Sequence, residues 1–154
     1  MENLLISACL LGVNCKYSGG NNAMSTELVE KLGQRFRLWP ICPETAGGLP
    51  CPRDPSERLG SKVLSCTGED VSRQFMKGAC LAVELAERKG CRWALLKERS
   101  PSCGSGYIYD GSFSGRLVEG DGLTAQLLKE KGLIAFGESE AELLLKVTEG
   151  LDEE

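Results

Sequence analysis

The residue pattern predicts an α/β fold: a mainly parallel sheet with helices on both faces, a Rossmann-like three-layer sandwich. Two observations carry it. Short apolar runs at 3–8, 36–41, 93–96 and 133–136 read as strands, and helical periodicities at 25–33, 70–89, 123–130 and 139–149 alternate with them. Strands separated by helices need crossover connections, and crossovers build parallel sheets covered on both sides. Residues 1–154 are expected to form a single domain.

The elements follow from local chemistry. Asn3 to Ala8 has the continuous apolar character of a strand buried on both faces. A glycine-rich loop through Gly12, Gly19 and Gly20 follows. Ser25-Thr26-Glu27 opens a helix that carries Leu28 and Leu32 on one side. Phe36 to Ile41 is the second strand. Residues 43–66 hold four prolines and three glycines, and are expected to be irregular. Thr67-x-x-Asp70 resembles a capping box for a helix over 70–89, whose stripe is Val71, Phe75, Ala79, Ala82 and Ala86. Gly90 ends that helix, and Trp93 to Leu96 form the third strand. Residues 99–122 are expected to be loop-like, with a hairpin at Tyr107 to Phe113. Helix 123–130, strand 133–136 and helix 139–149 complete the chain.

Composition narrows the function. The chain has 154 residues, net charge −4 and interspersed signs, so it lacks the basic footprint of a nucleic-acid binder. No apolar run reaches membrane-span length, and Leu4-Leu5-Ile6 reads as a strand rather than a signal peptide. A cytoplasmic location is expected. There are eight cysteines and no histidine. Disulfides are unusual in a reducing cytosol, which favours metal or sulfur chemistry for some of the thiols. The missing histidine removes Ser-His-Asp and Cys-His nucleophile systems and histidine zinc sites. Proton transfer falls to carboxylates, Lys, Tyr, Cys or water.

In an open parallel sheet, ligands bind beyond the carboxyl ends of the strands. Cys9, Cys42 and Cys103 all follow such ends. Soft thiolates select iron–sulfur clusters, zinc or copper(I). The spacing matches neither the compact ferredoxin run nor paired C-x2-C zinc modules, so spacing alone leaves the metal open. Glu44, two residues beyond Cys42, is the candidate acid–base group. Ser100 and Ser102 flank Pro101; either hydroxyl could hold a polar substrate atom. Arg53 and Lys97 are candidate substrate-orienting cations. Cys15 is a possible auxiliary thiol and Cys51 a weaker one, whereas Cys66, Cys80 and Cys91 read as small hydrophobes.

Taken in order, Ser7-Ala8-Cys9-Leu10-Leu11-Gly12, Cys42-Pro43-Glu44, Gly47-Gly48-Leu49-Pro50, Pro52-Arg53, Lys97 to Gly104 and Gly111-Ser112-Phe113-Ser114-Gly115 resemble the thiouracil desulfurase family. The likeness spans roughly residues 3–137. It implies a [4Fe–4S] cluster held by Cys9, Cys42 and Cys103, with one open iron for the sulfur of a thiolated nucleobase. It implies acid–base work for Glu44, a substrate contact at Ser100, and non-redox release of sulfide. Cys15 and Cys51 are not carried over as ligands. The expected partner is a small-molecule thio-nucleobase, with no nucleic acid or membrane, and the chain is expected to be a monomer or weak homodimer. A non-catalytic metal or cluster protein and a thiol redox protein are the competing readings.

Overall fold

The computed structural model describes residues 1–150. Four strands form a parallel sheet: β1 (Glu2–Ser7), β2 (Phe36–Ile41), β5 (Trp93–Leu96) and β8 (Ile134–Gly137), in spatial order β2-β1-β5-β8. The helices are α1 (Thr26–Arg35), α2 (Pro43–Ala46), α3 (Ser72–Arg88), α4 (Leu123–Glu130) and α5 (Ala141–Val147). The α/β architecture expected from the sequence is present, with all four parallel strands placed to within about a residue.

The sheet divides two apolar layers. Side chains alternate across a strand. Leu4 and Ile6 of β1, with Leu95 of β5, pack with Leu32 of α1 and Leu144 of α5. Leu5, Ala94 and Leu96 face the other way, onto Ala82 and Ala86 of α3 and Ala125 and Leu128 of α4. Being buried on both faces explains why β1 reads as an unbroken apolar run.

Local signals explain the helix ends. Ser25 caps α1 by accepting the Leu28 N–H at 3.2 Å. The capping box expected at Thr67 does not form. Asp70 Oδ1 instead accepts the Ser72 N–H at 2.9 Å, and the helix starts there, because the Thr67 hydroxyl bonds Ser65 in the preceding turn. The stripe Val71, Phe75, Ala79, Ala82, Ala86 is buried throughout, as its spacing requires.

One hairpin corrects the expectation of irregular chain, and a second extends the hairpin expected at Tyr107. Within 43–66, β3 (Ser56–Leu59) pairs antiparallel with β4 (Lys62–Ser65) and packs Val63 against Val71 and Phe75 at the start of α3. Prolines precede this hairpin rather than interrupt it, so the segment-wide proline content misled. The later hairpin pairs β6 (Tyr107–Tyr109) with β7 (Leu117–Glu119), placing residues 110–116 in its turn. The second strand lies beyond Phe113, where the sequence reading ended it. Among the described residues, no helix is long and apolar enough to cross a membrane.

Candidate active site

The strand order contains one reversal. From β1 the chain moves to β2 on one side, then returns across β1 to β5 on the other. At such a switch point the loops leaving neighbouring strands diverge to opposite faces and open a crevice at the carboxyl edge. The loops that leave β1, β2 and β5 carry Cys9, Cys42 and Cys103. All three line one cavity of about 510 Å³, together with Cys15, Glu44, Arg53, Lys97 and Ser100.

Each loop is held by contacts legible in its residues. After β2, Cys42 N-caps α2, and Pro43 takes the first helical position. This short helix lies directly on α3. A Cβ on Gly47 would stand 1.9 Å from the Gln74 carbonyl oxygen, and one on Gly78 would stand 1.8 Å from that of Pro43. Only glycines permit that approach. After β5, the Ser100 hydroxyl accepts the N–H groups of Ser102 (3.1 Å) and Cys103 (3.0 Å), closing a Ser-based turn. That turn rests on Gly122, whose Cβ would meet the Ser102 carbonyl at 2.5 Å. After β1, Ala8–Leu11 makes a 3-10 turn that Gly12 ends in the left-handed conformation (φ 93°).

The thiols are sheltered and face one another. Cys9, Cys15 and Cys103 are buried, and Cys42 is half-buried. Burial pushes the Cys9 thiol up; a hydrogen bond from Asn22 works against this, and Cys42 adds to it. Burial pushes Cys15 up to about 12, reinforced by Cys42 and Cys9. Cys103 is raised by complete burial, opposed by a hydrogen bond from Ser7, and raised further by Glu44, Cys42 and Cys9. All eight cysteines are free thiols.

A carboxylate completes the set. Burial pushes the Glu44 carboxyl up, partly opposed by Arg53 and by a hydrogen bond from Ser100. Arg53 Nε donates to Glu44 Oε1 at 3.0 Å, Nη2 to the Cys15 carbonyl at 2.9 Å and Nη1 to the Pro50 carbonyl at 3.2 Å. A sheltered carboxyl, a hydroxyl already oriented by backbone donors, and several converging thiols thus share one crevice.

The profile of the 2-thiouracil desulfurase family matches residues 4–140, the span that contains every one of these groups. The chain belongs to the 2-thiouracil desulfurase family. The uncharacterized protein YbbK of Bacillus subtilis (strain 168) is 39% identical over 147 residues, covering 89% of this chain and 96% of that protein. Among solved structures, the [4Fe-4S]-dependent thiouracil desulfidase TudS matches with a TM-score of 0.90 at 44% identity, covering 96% of this chain and 99% of that one.

The structure sorts the residues singled out by sequence. Cys9, Cys42, Cys103, Glu44, Ser100, Arg53 and Lys97 come together at the cavity. Ser102 does not. It is fully buried, and its hydroxyl pairs with Thr124 of α4 at 2.7 Å. The expected substrate contact there is corrected: Ser102 fastens the Cys103 turn to α4. Arg53 spends its donors on Glu44 and two carbonyls, and its side chain is 6% exposed, so it works as a strut for the site. Lys97 Nζ is paired with Glu138 and also donates to the Glu98 carbonyl at 3.1 Å. Ser7 and Asn22 were missed; Ser7, at the end of β1, faces Cys103 beyond β5, and Asn22 folds back on Cys9 from the far end of the same loop, which no local motif records.

The donor chemistry fits an iron–sulfur cluster: soft sulfur atoms converge in a chain with no histidine. Among the described residues, no three Cys, Asp or Glu side chains form a ready-made pocket for a single ion. A cluster makes a different demand, because it spreads its thiolate ligands over several iron atoms.

Proposed function

We propose that this protein is an iron–sulfur-dependent desulfurase that converts a thiolated nucleobase of the 2-thiouracil type to its oxo form, with release of sulfide. The observation that carries the proposal is the meeting of Cys9, Cys42 and Cys103 with Glu44 at the switch point of the sheet. The 44% identity to a [4Fe-4S]-dependent thiouracil desulfidase over nearly the whole chain supports it.

In this proposal Cys9, Cys42 and Cys103 hold a [4Fe–4S] cluster and leave one iron open. When bound, the cluster supplies a Lewis-acidic iron for the thiocarbonyl sulfur. The chain's own residues do the rest. Glu44 takes a proton from the water that adds to the thiocarbonyl carbon. It returns that proton to the departing side as the carbon–sulfur bond breaks. A carboxyl raised by burial suits both duties near neutrality. Ser100 donates to Glu44 and, with Arg53, fixes the direction in which it exchanges protons. Lys97, on the cavity wall, is available to an electronegative atom of the base. Base plus water gives oxo base plus hydrogen sulfide, with no electron transferred. Free thiols throughout suit a reducing compartment such as the cytoplasm.

The test is turnover of 2-thiouracil by anaerobically loaded protein, following uracil and sulfide together. Equal amounts of both are expected. Iron loading without either product would overturn catalysis and favour a cluster-storing protein.

A further inference from the structure

Four thiols meet where the proposed cluster needs three. Cys15 is 6% exposed and lines the same cavity as the other three. Its side chain packs in the same buried cluster as Cys9, with Cys42 against it. Its carbonyl also receives the Cys42 thiol at 3.6 Å and Arg53 Nη2 at 2.9 Å, so its backbone is aimed at the site. On either side, the carbonyls of Asn14 and Lys16 accept the Cys51 thiol at 3.2 and 3.4 Å. These contacts fix the Cys15 segment beside Cys42, Arg53 and Cys51 and leave its thiol on the cavity wall.

We propose that Cys15 is a fourth, displaceable thiolate ligand, occupying the iron that Cys9, Cys42 and Cys103 leave open until substrate sulfur replaces it. The proposal rests on the cluster-binding function above. Displaceability follows from the loop. Cys42 and Cys103 sit on segments jammed against α3 and against Gly122. Cys15 lies between Gly12 (φ 93°) and Gly19 (φ 87°), where a Cβ would meet nothing closer than 3.6 Å. No backbone approach as close as those at Gly47, Gly78 and Gly122 pins the chain on either side of Cys15, although the thiol itself packs beside Cys9 and Leu10. The exchange moves no electrons: the Cys15 thiol gives its proton to solvent on ligation and recovers one when substrate takes its place. Its benefit is a capped iron in the absence of substrate.

The experiment uses the full chain, loaded anaerobically, as wild type, Cys15→Ala and Cys15→Ser. Iron content is measured first. Cyanide is then titrated, and the reduced cluster is followed by electron paramagnetic resonance. Equal iron in all three is expected, with cyanide binding about tenfold tighter in Cys15→Ala, since an iron capped nine-tenths of the time weakens an external ligand by that factor. Cys15→Ser should fall between them. Equal cyanide affinity in wild type and Cys15→Ala, with iron loaded in both, overturns the role of Cys15 alone. No iron in the wild type overturns the cluster site and this proposal with it. Loss of iron in Cys15→Ala and Cys15→Ser only would make Cys15 an obligatory ligand, which also overturns displaceability.

Discussion

The loops that leave β2 and β5 differ from the loop that leaves β1. The first two are fixed by backbone touching backbone: Gly47 and Gly78 let α2 lie against α3, Gly122 lets the Cys103 turn lie against the start of α4, and Gly104 lets that turn close on Ser100. The third has no such backbone approach; it is fixed by packing of Ala8, Cys9, Leu10 and Cys15 in the core and by hydrogen bonds, among them Arg53 to the Cys15 carbonyl and the Asn22 N–H to the Cys9 carbonyl at 3.0 Å. Hard contact sets position to a fraction of an ångström, because close-packed interiors transmit rather than absorb displacement. Hydrogen-bonded chain yields more readily. Cys42, Glu44, Ser100 and Cys103 belong to the first kind of loop; the second carries Cys9, held on its 3-10 turn, and beyond Gly12 the displaceable Cys15.

The strongest probe of the jammed region leaves its backbone intact. Glu44→Gln keeps the size of the side chain and an oxygen that can accept from Arg53 Nε, but cannot carry a proton. Iron content should match wild type while turnover of 2-thiouracil falls by about 10²-fold or more, the usual worth of a positioned acid–base group. Unchanged turnover would remove Glu44 from the chemistry.

Gly78→Ala attacks the jam itself. The new methyl lands 1.8 Å from the Pro43 carbonyl oxygen, so α2 must move. Overpacking of this kind costs about 2–3 kcal/mol, read by denaturant unfolding. Because α2 carries Glu44 and begins at Cys42, iron content should fall as well. A normal stability and full loading would show that the close approach is dispensable.

Gly12→Ala is the matching probe of the softer loop. Here a Cβ meets only Ala23 at 3.9 Å, so the cost is the left-handed backbone alone, about 1–2 kcal/mol. Iron content should hold. A penalty as large as that of Gly78→Ala would erase the distinction between the two kinds of loop.

The smallest effect is expected from Ser102→Ala. It removes one buried partner of Thr124 and costs about 1 kcal/mol or a little more. KM for 2-thiouracil should not change, as Ser102 lies outside the cavity. A raised KM would restore it as a substrate contact.

The sheet was legible because its signals are local. Leu4-Leu5-Ile6 and Trp93 to Leu96 are short apolar runs with turn residues at their ends, and the stripe from Val71 to Ala86 keeps helical spacing for four turns. The strand-end position of Cys9, Cys42 and Cys103 could be read for the same reason. What stayed hidden depends on contacts between distant segments. Ser102 looks exposed beside a proline until Thr124, 22 residues on, covers it. The β3–β4 hairpin gains its place from Val63 against Phe75, which no pattern within 43–66 records. Arg53 reads as a free cation until three acceptors from separate stretches of chain converge on it. Cys15 falls between these cases: its loop was visible, but its neighbours were not.

The most direct test is the iron and acid-labile sulfide bound per chain after anaerobic reconstitution, compared between wild type and the Cys9→Ser/Cys42→Ser/Cys103→Ser variant. The account predicts about four of each in the wild type, as a [4Fe–4S] cluster requires, and essentially none in the variant. Equal uptake by the two proteins would contradict it.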